Sequence, residues 1–212
     1  AEPRTEFSTL KQTLFGLQFA NPVGLAAGFD KNAEALPGLQ KQGFGFVECG
    51  TVTPLPQAGN PKPRLFRLPC DEAVVNRLGF NNKGLDVFVE NMRRTQKRIP
   101  VGSNIGKNKD SSDAVADYIT GLKQVYAVSD YITINISSPN TAGLRDLQHK
   151  SRLEALLKAL LDGRAALAEA HHRTVPLLLK IAPDLDAESV SDIASILRST
   201  KLDGCIVSNT TI

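Results

Sequence analysis

The chain is short of several features that mark whole classes of protein. It has only three cysteines in 212 residues, Cys49, Cys70 and Cys205, and their spacing suits neither a metal site nor a redox pair. Cys49 and Cys205 stand in apolar, strand-like runs, so buried thiols in a reducing compartment are expected. No run approaches the length of a membrane-spanning helix, and no signal peptide is legible at the start. An excess of one charge is also lacking. A net charge of +3 is too mild to argue for nucleic acid, and the densest basic stretch, Arg93-Arg94-Thr95-Gln96-Lys97-Arg98, reads as a solvated helix end. No GxGxxG fingerprint follows the first strand-like run. No Ser/His/Asp set, no pair of carboxylates and no metal cluster can be assembled. His149, His171 and His172 fall in polar positions beside helices.

What is present is an ordinary globular composition, 42% hydrophobic and 22% charged, with enough length for one sizeable core. Alternation around a glycine in Thr13-Leu14-Phe15-Gly16-Leu17-Gln18-Phe19 predicts a small hairpin, placed to close the floor of a barrel. Strands are predicted at 23–28, 44–50, 100–106, 131–134, 175–181 and 202–207. Helices are predicted at about 33–42, 84–98, 111–126, 151–170 and 186–199. Ser111-Ser112-Asp113 is a capping sequence, and Leu153, Leu156, Leu157, Leu160, Leu161 and Ala165 make one apolar helix face. The proline-rich segment from Thr53 to Pro69 reads as an ordered, extended loop, and 73–82 as an irregular segment rich in amides.

Strand and helix alternate six times, which predicts a parallel α/β arrangement. Polar clusters after every strand, rather than at one switch point, favour a barrel over an open doubly wound sheet. A (β/α)8 TIM barrel has eight such units in about 250 residues. Six are legible here plus the hairpin, so residues 1–212 are read as one barrel domain whose C-terminal part is missing.

The strand ends carry the chemistry. Asn135-Ile136-Ser137-Ser138-Pro139-Asn140-Thr141 follows the apolar run Tyr131-Ile132-Thr133-Ile134, and Pro139 restricts Ser138 to extended geometry. Ala27, Gly28, Lys31, Thr51, Asn104, Lys180, Ser208, Asn209 and Thr210 hold equivalent places at the other strand ends. A set rich in amides and hydroxyls, with two lysines, suits a planar heterocycle and redox chemistry in which a cofactor takes the hard step. Lys180 is the odd residue of Val175-Pro176-Leu177-Leu178-Leu179-Lys180-Ile181. It either snorkels or has a buried anionic partner, and beside a flavin's N1–C2=O edge it would stabilise the reduced ring.

Several motifs resemble those of dihydroorotate dehydrogenases. They are Ala26-Ala27-Gly28-Phe29-Asp30-Lys31-Asn32, Gly50-Thr51-Val52-Thr53-Pro54, Gly59-Asn60-Pro61-Lys62-Pro63-Arg64, Asn76-Arg77-Leu78-Gly79-Phe80-Asn81 and Asn104-Ile105-Gly106-Lys107-Asn108. The stretches 135–141, Gly143-Leu144-Arg145, Lys180-Ile181-Ala182-Pro183-Asp184 and Ser208-Asn209-Thr210-Thr211 match as well. The chain looks like the class 2, quinone-dependent branch, in which the base is a serine, here Ser138. The resemblance implies FMN contacts at Ala27, Gly28, Thr51, Asn104, Asn135, Lys180 and Ser208. It implies dihydroorotate contacts at Lys31, Asn76, Arg77, Leu78, Gly79, Phe80, Asn135, Asn140, Asn209 and Thr210. Ser208 departs from the threonine frequent at its position but keeps the hydroxyl. Class 2 enzymes add an N-terminal helical pair that meets the membrane and forms the quinone tunnel, and bind the FMN phosphate with glycine-rich loops after the last two strands. This chain starts and stops short of both. The expected location is the cytoplasmic side of a bacterial inner membrane, with the mitochondrial inner membrane as the alternative. No metal and no nucleic acid are expected. Another FMN barrel oxidoreductase acting on a pyrimidine, or a non-catalytic barrel fragment, would share part of this pattern.

Overall fold

The computed structural model describes residues 8–141 and 143–211. Strands β1 (Gln12–Leu14) and β2 (Leu17–Phe19) form the expected hairpin. Its two turn residues, Phe15 and Gly16, both have positive φ, as a two-residue turn between twisted strands requires. β3 (Gly24–Leu25) is shorter than the predicted strand. The chain leaves the ladder at Ala26, and Gly28 instead donates its N–H to the Gly50 carbonyl, 2.7 Å away. The first helix, α1 (Leu36–Leu39), also shrinks, to little more than one turn. Ala33 at φ +57 and Gly43 at φ +95 break the helical path on either side. The buried Asp30 carboxylate satisfies the Glu34 and Ala35 N–H groups at its start, both at 2.9 Å.

β4 (Phe46–Val52) is followed by an element that the sequence reading did not contain. β5 (Leu65–Leu68) and β6 (Ala73–Asn76) pair antiparallel across a turn in which Glu72 is left-handed. The prolines on the N-terminal side hide this hairpin in the sequence. Then follow α2 (Leu85–Arg94), β7 (Val101–Ile105), α3 (Ala114–Val125), β8 (Tyr131–Asn135), α4 (Lys150–His171), β9 (Leu177–Ile181), α5 (Ala187–Thr200) and β10 (Gly204–Val207). Asp113 caps α3 through the Ala116 N–H, and Asp186 caps α5 through the Ser189 N–H. The basic stretch after α2 is not uniformly solvated. Arg94 pairs with Glu90 on the surface, but Lys97 turns inward to Asp130 at 2.6 Å.

One six-stranded sheet has the order β10-β9-β8-β7-β4-β3, and every pairing is parallel. The spatial order therefore follows the chain order without a reversal. A doubly wound sheet would reverse at its switch point, so this is the strand sequence of a TIM barrel, of which the chain supplies six strands. The helices pack side by side on the outer face, α2 on α3, α3 on α4 and α4 on α5. Outward-pointing Val47, Val101, Ile132, Ile134, Leu177 and Leu179 are fully buried beneath them. So are Leu153, Leu156, Leu157 and Leu160 of α4. Each such side chain contributes roughly 1.5–3 kcal/mol by leaving water.

Inward-pointing residues alternate large and small. A Cβ on Gly24 would stand 2.2 Å from the Phe46 ring, and one on Gly102 would stand 2.2 Å from the Tyr131 ring. The rings occupy the space that these glycines leave. Cys49 is buried as expected, but Cys205 is exposed. β10 has a paired neighbour on one side only among the described residues, and alternate residues along it are open to solvent.

Gly102→Ala is expected to destabilise the protein by about 1–3 kcal/mol, the usual cost of overpacking a filled core. Chemical denaturation measures this, and Tyr131→Leu in the same background should recover much of the loss. An unchanged midpoint in the single variant would contradict this account of the interior.

Candidate active site

The polar strand ends converge on one pocket of about 140 Å³. From the β3 side come Ala27, Gly28 and Lys31. From β4 comes Thr51, and from the segment after β6 come Asn76, Leu78, Gly79 and Phe80. β8 and its loop bring Asn135, Ser138 and Asn140, β9 brings Lys180, and the segment after β10 brings Asn209 and Thr210. Three predicted residues do not line it. Asn104 is fully buried one hydrogen bond behind Thr51 and Asn135. The Arg77 guanidinium donates instead to the Pro63 carbonyl at 3.1 and 2.9 Å. The Ser208 hydroxyl donates to the Asn209 carbonyl.

Local chemistry holds each group. Gly28 lies at φ +113, a conformation that suits glycine, and a Cβ there would meet nothing within 4 Å. The backbone can thus approach a flat ligand. Thr51 Oγ1 donates to Asn104 Oδ1 at 2.5 Å and accepts from Asn135 Nδ2 at 2.8 Å. Asn135 Oδ1 accepts from the Ser137 N–H and Oγ. From outside the strand, the buried Tyr118 hydroxyl donates to the Asn135 carbonyl at 2.6 Å.

Ser138 is buried, and its Oγ accepts the Asn140 N–H at 3.2 Å. That bond turns the hydroxyl back over its own loop, beside the ring of Pro139. The same loop is fastened from below. Arg145 Nε donates to the Ser137 carbonyl, its Nη2 pairs with Asp184 at 3.2 Å, and Thr211 donates to the other Asp184 oxygen. The segments after β8, β9 and β10 are thus tied to one another.

Among the described residues, two lysines and no carboxylate line the pocket. Lys31 donates to Asn81 Oδ1 at 3.2 Å, and its pKa is pushed down to about 8, chiefly by burial and then by the Arg64 charge. Lys180 is buried, and among the described residues its ammonium has no hydrogen-bond or ion-pair partner. Among the described residues no protein anion meets it, and its side chain instead reaches the pocket. A second cavity, of about 450 Å³, opens at the opposite ends of the strands against the β1–β2 hairpin. It is mainly apolar, and parallel barrels carry their chemistry at the other end.

Sequence reasoning missed the residues that shape the walls. Gln57, Asn82 and Asn108 tie three segments together. Gln57 donates to the Gly79 carbonyl, Asn82 to Thr53 Oγ1 and the Phe80 carbonyl, and Asn108 to Thr53 Oγ1, the Leu55 carbonyl and Gln57 Oε1. Glu48 was missed inside an apolar run. It is buried, and its two oxygens accept from Asn104 Nδ2 and Thr133 Oγ1, each at 2.8 Å. Its signal was the one that exposed Lys180, a lone charge in a strand.

The family profile described as "Dihydroorotate dehydrogenase" matches residues 9–212. The chain is 56% identical, over its whole length, to a protein of Rhizobium meliloti (strain 1021) named dihydroorotate dehydrogenase (quinone), and covers 57% of that relative. It is 54% identical over 206 residues to a protein of the same name from Stenotrophomonas maltophilia (strain K279a), covering 59% of it. It superposes over its full length on the crystal structure of DHODH in complex with ferulenol from Eimeria tenella, with TM-score 0.93, 45% identity and 62% of that chain covered. The chain thus spans somewhat over half the length of the relatives it matches. With the strand order and the converging polar strand ends already in place, these matches show that the chain belongs to the dihydroorotate dehydrogenase family.

Proposed function

We propose that the protein to which this chain contributes oxidises dihydroorotate to orotate, with FMN as cofactor and a quinone as electron acceptor, in pyrimidine biosynthesis. The observation that carries this reading is the pocket itself, where, of the described residues, a buried serine stands among amides with two lysines and no carboxylate. Such a site favours an anionic, hydrogen-bonding, planar ligand. The relatives named dihydroorotate dehydrogenase (quinone) support the same substrate and acceptor.

The residues present fit a flavin. Lys180 presents the pocket with an ammonium that has no protein partner among the described residues, which suits an acceptor on the ligand. Gly28 leaves open space against which a ring can lie. Ala27, Gly28, Thr51, Asn135 and Lys180 line the pocket and would hold it, with Asn104 supporting Thr51 and Asn135 from behind. Bound there, FMN would supply a two-electron acceptor for the hydride from C6 of the substrate, with a quinone as the final acceptor.

The chain's own residues do the rest. Ser138 takes the C5 proton. An unassisted serine hydroxyl is a weak base, so its geometry must be held and its own proton released through a water or hydroxyl relay to solvent as the C5 proton arrives. The Asn140 N–H and the Arg145–Asp184 pair do the holding. Lys31 answers the substrate carboxylate. Asn76, Asn140, Asn209 and Thr210 orient the ring, and the segment from Arg77 to Phe80 shapes the wall beside it. We further propose peripheral contact with a bacterial inner membrane, on its cytoplasmic side, through a segment outside this chain. Among the described residues no helix is long and apolar enough to cross a membrane.

Three measurements on the full-length protein test this. Ser138→Ala should retain FMN and bind orotate nearly as the parent does. It should slow anaerobic flavin reduction by about two to four powers of ten, the contribution of a positioned base. Reduction at the parent rate would remove Ser138 from that role. Lys180→Ala should yield protein with little FMN. Lys180→Met, which keeps the stem, should do the same, and normal flavin content in both would defeat the assignment.

The third concerns pH. The Lys31 pKa of about 8 means that the ammonium is present below that pH and lost above it. Orotate affinity should therefore be level from pH 6.5 to about 8, then fall about tenfold per unit. Lys31→Met should bind weakly with no such break. A parent profile that stays level to pH 9 would count against Lys31 as the carboxylate's partner.

A further inference from the structure

Glu48 is 4% exposed, lies on an inward-facing position of β4, and makes no ion pair among the described residues. Burying a carboxylate costs several kcal/mol unless its oxygens are well met. Both are met here, but by neutral donors, Asn104 Nδ2 and Thr133 Oγ1. Thr133 and Asn104 are register partners on adjacent strands, so the sheet itself brings both donors to one carboxylate.

The consequence lies in Asn104. A carboxamide has one donating and one accepting end, and a carboxylate accepts only. Glu48 therefore decides which end of Asn104 faces it. The Nδ2 end is drawn to Glu48, and Oδ1 is turned toward the strand ends. There Oδ1 accepts from Thr51 Oγ1 and from Asn135 Nδ2. With Nδ2 so used, Asn135 turns Oδ1 to the Ser137 N–H and Oγ. Each orientation follows from the one before it. With Asn104 reversed, its NH2 would face the Asn135 NH2, donor against donor. Glu48 does not reach the pocket in which Thr51 and Asn135 stand.

We infer that Glu48 is a positioning residue, which through Asn104 sets the donor–acceptor polarity of the amides and hydroxyl facing the flavin. This rests on the flavin reading of the pocket. It makes Glu48 neither a cofactor contact nor a mere core filler.

The test titrates the full-length apoprotein with FMN, reading flavin fluorescence and the absorbance bands of the bound form, alongside thermal melting. Glu48→Met fills the volume and removes the acceptor. Its apoprotein should still melt cooperatively, somewhat below the parent, because the Met chain keeps the packing while Asn104 Nδ2 and Thr133 Oγ1 lose their acceptor. Its FMN Kd should nonetheless rise at least about tenfold, the effect of one mispaired buried polar contact. Asn104→Asp sets carboxylate against carboxylate and should weaken FMN at least as much. Glu48→Gln in that background reverses the pair. The new glutamine donates to the new aspartate and accepts from Thr133, while the second aspartate oxygen still accepts from Thr51 and Asn135. The double variant should return FMN affinity to within about threefold of the parent, with the parent's absorbance bands.

A double variant no better than Asn104→Asp overturns the inference. So does Glu48→Met that binds FMN as the parent does, or that no longer melts cooperatively, since the residue is then structural. If Asn104→Asp does not fold, Glu48→Met alone decides. A parent that binds no FMN overturns the flavin reading and this inference together, whereas unaffected variants of a parent that binds overturn this inference alone.

Discussion

Parallel strands that curl around a common interior send every second side chain inward, and almost everything else in this molecule depends on that alternation. The outward residues are aliphatic and hold the helices. The inward ones cannot all be large, because neighbouring strands present theirs at the same level. Phe46 and Tyr131 fit only because Gly24 and Gly102 face them. One level up, the inward positions become polar, with Glu48, Asn104, Thr133, Asn135 and Lys180. The interior thus passes from an apolar floor to a hydrogen-bonded upper layer, and the site stands on that layer rather than on loops alone.

Rigidity at the site has a clear physical source. The two amides of Asn104 and Asn135 and the three hydroxyls of Thr51, Thr133 and Ser137 satisfy one another and Glu48, and a fully satisfied buried network strongly favours one arrangement over its alternatives. Lys180 is the exception beside it. Its ammonium has no protein partner among the described residues and reaches the pocket. The pocket is therefore built to gain from a ligand that supplies an acceptor. Around it, Gln57, Asn82, Asn108 and the Arg145–Asp184 pair fasten neighbouring strand-end segments to one another. A long proline-rich connection consequently behaves as a wall.

Much of this could be read along the chain, because the local rules are strong. Strand–helix alternation is a matter of period, and the caps at Asp113 and Asp186 act within three residues. The candidate residues could be collected because each follows an apolar run. Local reading failed where long-range pairing decided the outcome. The β5–β6 hairpin was hidden by prolines just ahead of it. α1 was cut short by backbone conformations at Ala33 and Gly43 that no apolar pattern reveals. Cys205 looked buried because its run is apolar, yet burial depends on what covers a strand.

By itself, then, the sequence determined the order of the barrel strands and helices, the parallel class and the identity of the polar residues at the strand ends, since these depend on periodicity and on residues adjacent in the chain. Only the tertiary structure decided which of those groups meet. It placed fourteen of the predicted positions on one pocket, left Arg77 holding Pro63, and set Asn104 behind the pocket wall. It also showed Glu48, 56 positions before Asn104 and 85 before Thr133, to be bonded to both. Such contacts arise from register between strands, and register is a property of the assembled sheet that no single segment carries.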